Sequence, residues 1–410
     1  MQISARQRHR CDAVSSVKEI TENVRAVINS RQEKLTDEEV LELIEEFVLY
    51  DSSTGRCTFP VKSAMIQGVF NATRKELGLL QPYADDPEVN EIMVNGPDSI
   101  FIERCGNIEK VDQRFESAEE LEEIIHRLAG KVHREFNDLN PILDARMEDG
   151  SRVHAVSRNV AIDGPILSIR RFPKQRISMK ELLEWGTLTP EAAELLEKLV
   201  TGGSNIFISG GTSSGKTTLL NVLSGFIPSD ERIVVIEDSA ELQIQGVENI
   251  VRMECRNANV QGKGEVTIRQ LIRASLRMRP DRIIVGEVRG AEVMDMLQAM
   301  NTGHDGSLST GHGNSPLGML SRLEAMYLTA ASLPIDAVRG QIAEAIDIIV
   351  HLGRMPDKSR KVLEIVEVEG FDQGRYIINP LFYYDRAKGL IPTGNRLKNM
   401  TKAELKGISL

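Results

Sequence analysis

Apolar positions along the chain fall into three successive textures. Val17, Ile20, Val24, Val27 and Ile28 share one helical face, and Val40, Leu43, Ile44, Phe47 and Val48 repeat that spacing behind the capping box Thr36-Asp-Glu-Glu39. The turn Asp51-Ser-Ser-Thr-Gly55 separates this hairpin from a third helical stretch near Val61 to Leu77. Residues 1–77 therefore predict a helical N-terminal module, whose plainest role is packing or docking.

From 78 to 172 the pattern shortens. Glu91 to Asn95 and Ser99 to Val111 read as strands, the second folded at Cys105-Gly-Asn107, and Ser117-Ala-Glu-Glu120 caps a helix running toward Val132. This predicts a small α+β domain. Residues 173–188 read as a linker, because Pro173 disfavours helix at the residue before it and the next helix begins only around Met179. Over 189–390, helical segments alternate with the β-branched runs Asn205 to Ser209, Arg232 to Glu237, Arg282 to Val285 and Ile346 to Leu352. That alternation predicts an α/β domain, a largely parallel sheet with helices on both faces.

Composition narrows the class. With 410 residues, 41% of them hydrophobic, there is ample chain for a core, and no apolar run exceeds the length of Ile233 to Ile236, far short of the roughly 18 residues of a membrane helix. The polar start carries Arg6, Arg8 and Arg10 with no apolar segment behind them, unlike a signal peptide. Cys11, Cys57, Cys105 and Cys255 are too scattered for a disulfide framework or a CxxC metal site. A reducing, cytoplasmic protein is expected. Its net charge of −10 is uneven, since the segment from Arg386 to Leu410 sets six basic residues against Glu404 alone. The basic tail, 391–410, reads either as solvated or as drawn to an acidic partner or lipid surface.

Gly210-Gly211-Thr212-Ser213-Ser214-Gly215-Lys216-Thr217 matches GxxxxGK[ST] between a predicted strand and a helix opening at Thr218, the context a phosphate-binding loop requires. Amides of the turn and helix N-terminus converge on phosphate oxygens, Lys216 adds a point charge, and the Thr217 hydroxyl is a Mg²⁺ ligand. Hydrolysis also needs a group that positions water, which directs attention to carboxylates at neighbouring strand ends. Two clusters stand there, Glu237-Asp238-Ser-Ala-Glu241 and Gly286-Glu287-Val-Arg289. Glu287 is assigned as general base or water-orienting residue and Glu241 as a Mg²⁺ partner acting through water, because Gly286 stands where a Walker B aspartate is more usual.

The block from Thr302 to Asn314 concentrates His304 and His312 among glycines and hydroxyls, and suits a loop or short strand near the γ-phosphate. His312 reads as a phosphate sensor or subunit-coupling residue, or as a structural hydrogen-bonding group; His304 is less defined. Arg152, Arg170 and Arg171 lie in strand-like segments of the α+β domain, where arginines either line solvated surface or stabilise developing phosphate charge. Arg269, Arg273 and Arg277 form an i, i+4, i+8 stripe, a solvated face or a seam between subunits.

The ordered blocks GGTSSGKTT, IEDSAEL, RIIVGEVRG and TGHDGSLSTGHGNSP, with EIMVNGPDSIFIERCG, LDARMEDGSRVHAV and SIRRF upstream, resemble the traffic ATPases of type II and type IV secretion. The likeness spans about residues 78 to 390 and is nearest the CpaF-type branch that drives Flp (tight-adherence) pilus assembly. It implies an α+β (PAS-like) domain hinged to a RecA-like P-loop NTPase domain, nucleotide between the domains, and a homo-hexameric ring. It further implies ATP and Mg²⁺ as cofactors and inner-membrane platform proteins of a pilus or secretion machine as partners. Within it Glu241 matches the acidic-box glutamate, Glu287 the catalytic glutamate, His312 the second histidine of the histidine box, and Arg152, Arg170 and Arg171 positions that reach toward the phosphates. The zinc-binding CxxC pairs of the type II secretion and pilus-extension branch are absent, and residues 1–77 lie outside the shared blocks.

The reading is a cytoplasmic ATPase motor held at the membrane by partner proteins. Two other classes compete with it. A DNA-translocating RecA-like motor is disfavoured by the acidic charge and 4% aromatic content, so no nucleic acid is expected as partner. A nucleotide-dependent scaffold would bind ATP with little turnover.

Overall fold

In a computed structural model of the chain, the structure describes residues 19–28, 30–31, 35–50, 54–55, 57–104, 106–171, 177–256, 258 and 263–409. Parts of the expected N-terminal face, of the 51–55 turn, of the Cys105 turn and of the 173–188 linker lie outside them, as does Cys11. The chain divides into two compact units, Met1–Lys174 and Gln175–Leu410.

The first unit opens with a helix over 19–28, followed by helices Asp37–Tyr50 and Phe59–Arg74. The capping box forms as the spacing predicts: the Glu39 amide donates to Thr36 Oγ1 at 3.2 Å and the Thr36 amide to Glu39 Oε2 at 2.7 Å. Ile20, Val24, Val40, Ile44, Val48, Met65 and Val69 bury a small core of their own. A six-stranded antiparallel sheet follows, made of β1 (Val89–Asn95), β2 (Ile100–Arg104), β3 (Asn107–Lys110), β4 (Ile142–Arg146), β5 (Arg152–Val156) and β6 (Ile166–Arg170), in the order β3-β2-β1-β6-β5-β4. Its strands alternate in burial, and Ile92, Val94, Ile102, Val153, Leu167 and Ile169 pack on the helix Ala118–Lys131. Ser117 caps that helix by accepting from the Glu120 amide. The other sheet face is mixed, with Glu91, Glu103, Arg146, Arg152 and Arg170 alongside Met93, Phe101, Ile142, Val156 and Ile166.

The second unit holds a nine-stranded sheet: β7 (Ile206–Gly210), β8 (Ile233–Glu237), β9 (Ile250–Glu254), β10 (Arg282–Val285), β11 (Leu308–His312), β12 (Ile348–Arg354), β13 (Arg360–Asp372), β14 (Arg375–Asp385) and β15 (Gly389–Pro392). The order is β15-β14-β13-β12-β7-β11-β10-β8-β9, parallel from β12 to β9 and antiparallel from β12 to β15. One core, around Leu196, Ile208, Leu219, Ile233 and Ile284, covers one face, and a second, around Phe207, Val234, Ile283, Met296 and Leu323, covers the other. The expected fold class, a P-loop α/β domain preceded by an α+β domain and a helical module, is the fold observed.

Three expectations are corrected. From Ile177 onward the linker region belongs to the second unit: the helix Met179–Glu184 starts where expected, behind a capping box from Ser178, but Leu182 and Leu188 enter the core, and Lys361 Nζ donates to the carbonyls of Trp185 and Gly186 at 2.7 and 2.8 Å. The basic tail is docked rather than solvated. Lys402 lies 2.7 Å from Asp347 and 2.8 Å from Asp305, Lys406 lies 2.6 Å from Glu231, and a Cβ on Gly202 would come within 2.9 Å of Ala403. Lys402 and Lys406 are thus met by carboxylates of the same unit. Finally, the arginine stripe breaks up: the helix Ile268–Ser275 ends before Arg277, while Arg269 and Arg273 each reach buried Asp295 at 2.6 Å.

Candidate functional site: a phosphate loop flanked by two strand-end carboxylates

In the second unit β7 delivers Gly210 to the carboxyl end of the sheet, where ligands of open α/β folds collect. A Cβ at Gly210 would lie 2.6 Å from the Leu352 carbonyl oxygen, so only glycine fits. Gly211, Thr212 and Ser213 are exposed, Ser213 is left-handed at φ +57°, and Gly215 turns the chain into the helix Lys216–Ser224 at φ +96°. Ser214 Oγ donates to the Gly211 carbonyl at 2.9 Å and closes the turn. Thr217 and Thr218 follow, half-buried, in the first turn of the helix. The amides of such a terminus have no intrahelical partner and suit an anion.

Lys216 is buried, and its Nζ donates to the carbonyls of Gly211 at 2.9 Å and Gly210 at 3.3 Å. Desolvation lowers its pKa, opposed by the charge of Glu287. His312, at the end of β11, places Nδ1 3.4 Å from this ammonium and Nε2 2.8 Å from Glu287 Oε1. Desolvation first, and then Lys216, lower the His312 pKa, which favours the neutral imidazole. The contact with Glu287 Oε1 is close but off the line of a hydrogen bond, and this buried oxygen has no hydrogen-bond partner among the described residues.

The other Glu287 oxygen is held by Arg289, whose Nη2 and Nε donate to Oε2 at 2.7 and 3.1 Å. Arg289 Nη1 also lies 3.6 Å from Asp238, so it joins the two acidic clusters. The Glu287 loop is fixed from β11 by Thr310, whose hydroxyl donates to the Gly286 carbonyl at 2.8 Å. Glu241 stands half-buried in the loop after β8. Glu237, the last residue of β8, is buried, and desolvation raises its pKa to about 7.

The structure thus brings the P-loop, Glu287 and His312 into one cluster, with the Glu241 loop at the end of the adjacent strand β8. His304 is placed elsewhere: it precedes β11, at the opposite end from His312, and its Nδ1 meets the Ala299 carbonyl at 3.1 Å. Arg152, Arg170 and Arg171 belong to the first unit. Arg146, Arg152 and Arg170 are successive register partners across β4, β5 and β6, a row of cations on the sheet face away from the helix that continues to Glu91 and Glu103. Burial pushes the Glu91 carboxyl up, and Arg170 opposes that rise. Arg171 faces inward: its Nη1 donates to the carbonyls of Asp86 and Val89 and its amide to Asn90.

Sequence reasoning missed Arg289 as a partner joining both clusters, the buried role of Glu237, and Arg360, whose Nε donates to the Ser213 carbonyl at 3.0 Å. Glu237 and Arg289 carried a signal: Glu237 opens the acidic cluster after its strand, and Arg289 stands two residues after Glu287, where a local ion pair with it is an alternative reading that the structure shows. Among the described residues no cluster of three or more His, Cys, Asp or Glu could hold a metal by itself. The donors fit a phosphate-bound Mg²⁺: one hydroxyl in the first turn of the helix and carboxylates at neighbouring strand ends, with a lysine that among the described residues meets two carbonyl oxygens and one imidazole, and a buried carboxylate oxygen of Glu287 without a hydrogen-bond partner there.

A parallel sheet whose central strand feeds a glycine-rich loop and a helix, with strand-end carboxylates beside it, defines a P-loop nucleotide-binding domain of RecA-like architecture. The family model "Type II/IV secretion system protein" matches residues 73–382, and the chain belongs to that family. It is 37% identical over 294 residues to a putative conjugal transfer protein of Mycobacterium tuberculosis, covering 70% of this chain and 83% of the relative. It is 34% identical over 296 residues to the conjugal transfer protein TrbB of Rhizobium radiobacter, covering 71% and 87%. In fold it is similar to the ATPase DotB of Legionella pneumophila, with a TM-score of 0.51, 22% identity and coverage of 72% of this chain and 80% of that one. No helix among the described residues is long and apolar enough to cross a membrane.

Proposed function

We propose that this chain is an ATP-hydrolysing motor subunit, of the CpaF type, that works as a homo-hexamer to power pilus assembly or protein secretion through a membrane-embedded complex. The observation that carries the reading is the cluster of Lys216, His312 and Glu287, with a buried Glu287 oxygen that has no hydrogen-bond partner among the described residues. Amides from Gly211 to Thr218 bind the phosphates, and Lys216 exchanges its carbonyl partners for β and γ oxygens. Thr217, and Glu241 through water, would hold Mg²⁺, which would supply positive charge to the transferred phosphoryl group.

Glu287 orients the attacking water and accepts its proton, with Arg289 fixing one oxygen so that the other is presented. His312, neutral and between Lys216 and Glu287, couples the phosphate side to the water side. Arg152 and Arg170 of the first unit supply positive charge to the phosphates in the assembled ring, whereas Arg171, expected to join them, is held by the carbonyls of Asp86 and Val89. Inner-membrane platform proteins recruit the subunit to the cytoplasmic side of the machine, without nucleic acid as cargo. The test is phosphate release by purified protein with Mg²⁺ and ATP. Turnover is expected to vanish in Lys216→Ala and in Glu287→Gln, and unchanged turnover in both overturns the mechanism.

A further inference from the structure

The acidic loop after β8 is held by two side chains to which the mechanism gives no part. Glu237 is 4% exposed, and its Oε1 accepts the amides of Glu241 at 2.8 Å and Leu242 at 2.9 Å. Asn221 sits in the helix that Lys216 and Thr217 open, and its Oδ1 accepts the Gln243 amide at 2.7 Å. Leu242 and Ile244 anchor the same segment in the core. Burying a carboxylate is unfavourable unless it meets donors that would otherwise be orphaned, and two amides of a tight turn are such donors. The loop that carries Glu241 is therefore fixed at its base to β8 and at its far end to the phosphate-loop helix.

Gly286 explains how the carboxylate fits. A Cβ there would lie 3.0 Å from Glu237 Cγ and 3.5 Å from its Oε1, while the Gly286 amide donates to the Ile236 carbonyl at 2.9 Å. An aspartate at this position, the residue more usual at such a strand end, would take the volume the Glu237 side chain occupies.

We propose that Glu237 is a positioning residue that fixes the acidic loop, and with it Glu241, against the phosphate-loop helix, so that its removal weakens Mg²⁺ binding rather than nucleotide binding. The inference rests on the proposed metal role of Glu241. Partners that orient metal-associated groups are worth about 10- to 100-fold in metal affinity.

The experiment uses the full chain and titrates Mg²⁺ at saturating ADP, following the melting temperature and the fluorescence of a labelled ADP; ADP affinity is also measured in EDTA. Glu237→Ala should raise the Mg²⁺ concentration for half-saturation about tenfold or more while ADP affinity in EDTA changes less than about threefold. Glu237→Gln keeps a carbonyl acceptor and should stay within about threefold of wild type. Asn221→Ala should shift the Mg²⁺ midpoint in the same direction by less, and it decides the question if Glu237→Ala does not fold. An unchanged Mg²⁺ midpoint, or an equal loss of affinity in EDTA, overturns the proposal. Thr217→Ala and Glu241→Ala separate the two readings: if neither moves the midpoint, the metal role of Glu241 fails, whereas a shift there without one in Glu237→Ala refutes the positioning role alone.

Discussion

The two sheets of this protein handle burial in opposite ways. The nine-stranded sheet is covered on both faces, and its parallel centre reads as unbroken apolar runs such as Ile233 to Ile236, so its chemistry can stand only at the strand ends. The six-stranded sheet is covered on one face, its strands alternate, and its open face carries the row Arg146, Arg152 and Arg170. One sheet is a scaffold for loops at its edge. The other presents a row of cations directly from its surface.

That contrast can be broken from either side. The largest effect should come from Lys216→Ala, which removes the one cation of the phosphate loop and should lower turnover by about 10³-fold or more, read as phosphate release, with little change in melting temperature. In the covered sheet, Ile284→Ala should cost about 2–5 kcal/mol of stability in denaturant titration. In the open sheet, Ile142→Ala, at a residue 54% exposed on β4, should stay within about 0.5 kcal/mol.

Two smaller effects sharpen the comparison. Arg170→Ala should leave the melting temperature unchanged and lower turnover about tenfold, since an exposed residue with a functional role affects rate and not folding. Equal losses in both would make it structural. Lys402→Ala should destabilise the second unit by about 1–3 kcal/mol, because burial already pushes the Asp347 carboxyl up and Lys402 is the first cause that draws it back.

The smallest effect is a pH slope. Buried His351 donates to or accepts from Ser209 Oγ at 2.8 Å, and desolvation lowers its pKa below the unfolded value of 6.5. The unfolded chain binds the proton first, so this group's contribution is present above about pH 6.5 and is lost as pH falls through the lower folded pKa. Replacing His351 with Gln should flatten the fall in melting temperature between pH 7 and 5 relative to wild type, and an unaltered slope would assign that fall to other groups.

Local chemistry fixed a good part of this protein in the sequence alone. The capping residues Thr36 and Ser117, the run from Ile233 to Ile236 and the Gly210 to Thr217 loop each depend on neighbours within a few residues, and helix period, strand period and glycine spacing express those dependencies directly. The folding of Ile177 onward into the second unit, the docking of the basic tail on Asp305, Asp347 and Glu231, and the inward turn of Arg269 and Arg273 toward Asp295 were decided only in three dimensions. Each joins groups on different elements, 22 residues apart for Arg273 and Asp295 and 175 for Lys406 and Glu231. The same is true of Glu237 beneath Gly286, where the absence of a side chain on one strand makes room for the carboxylate of the next. A charge looks solvated in sequence because its partner is remote, and only the folded sheet shows which charges are used to hold the structure together.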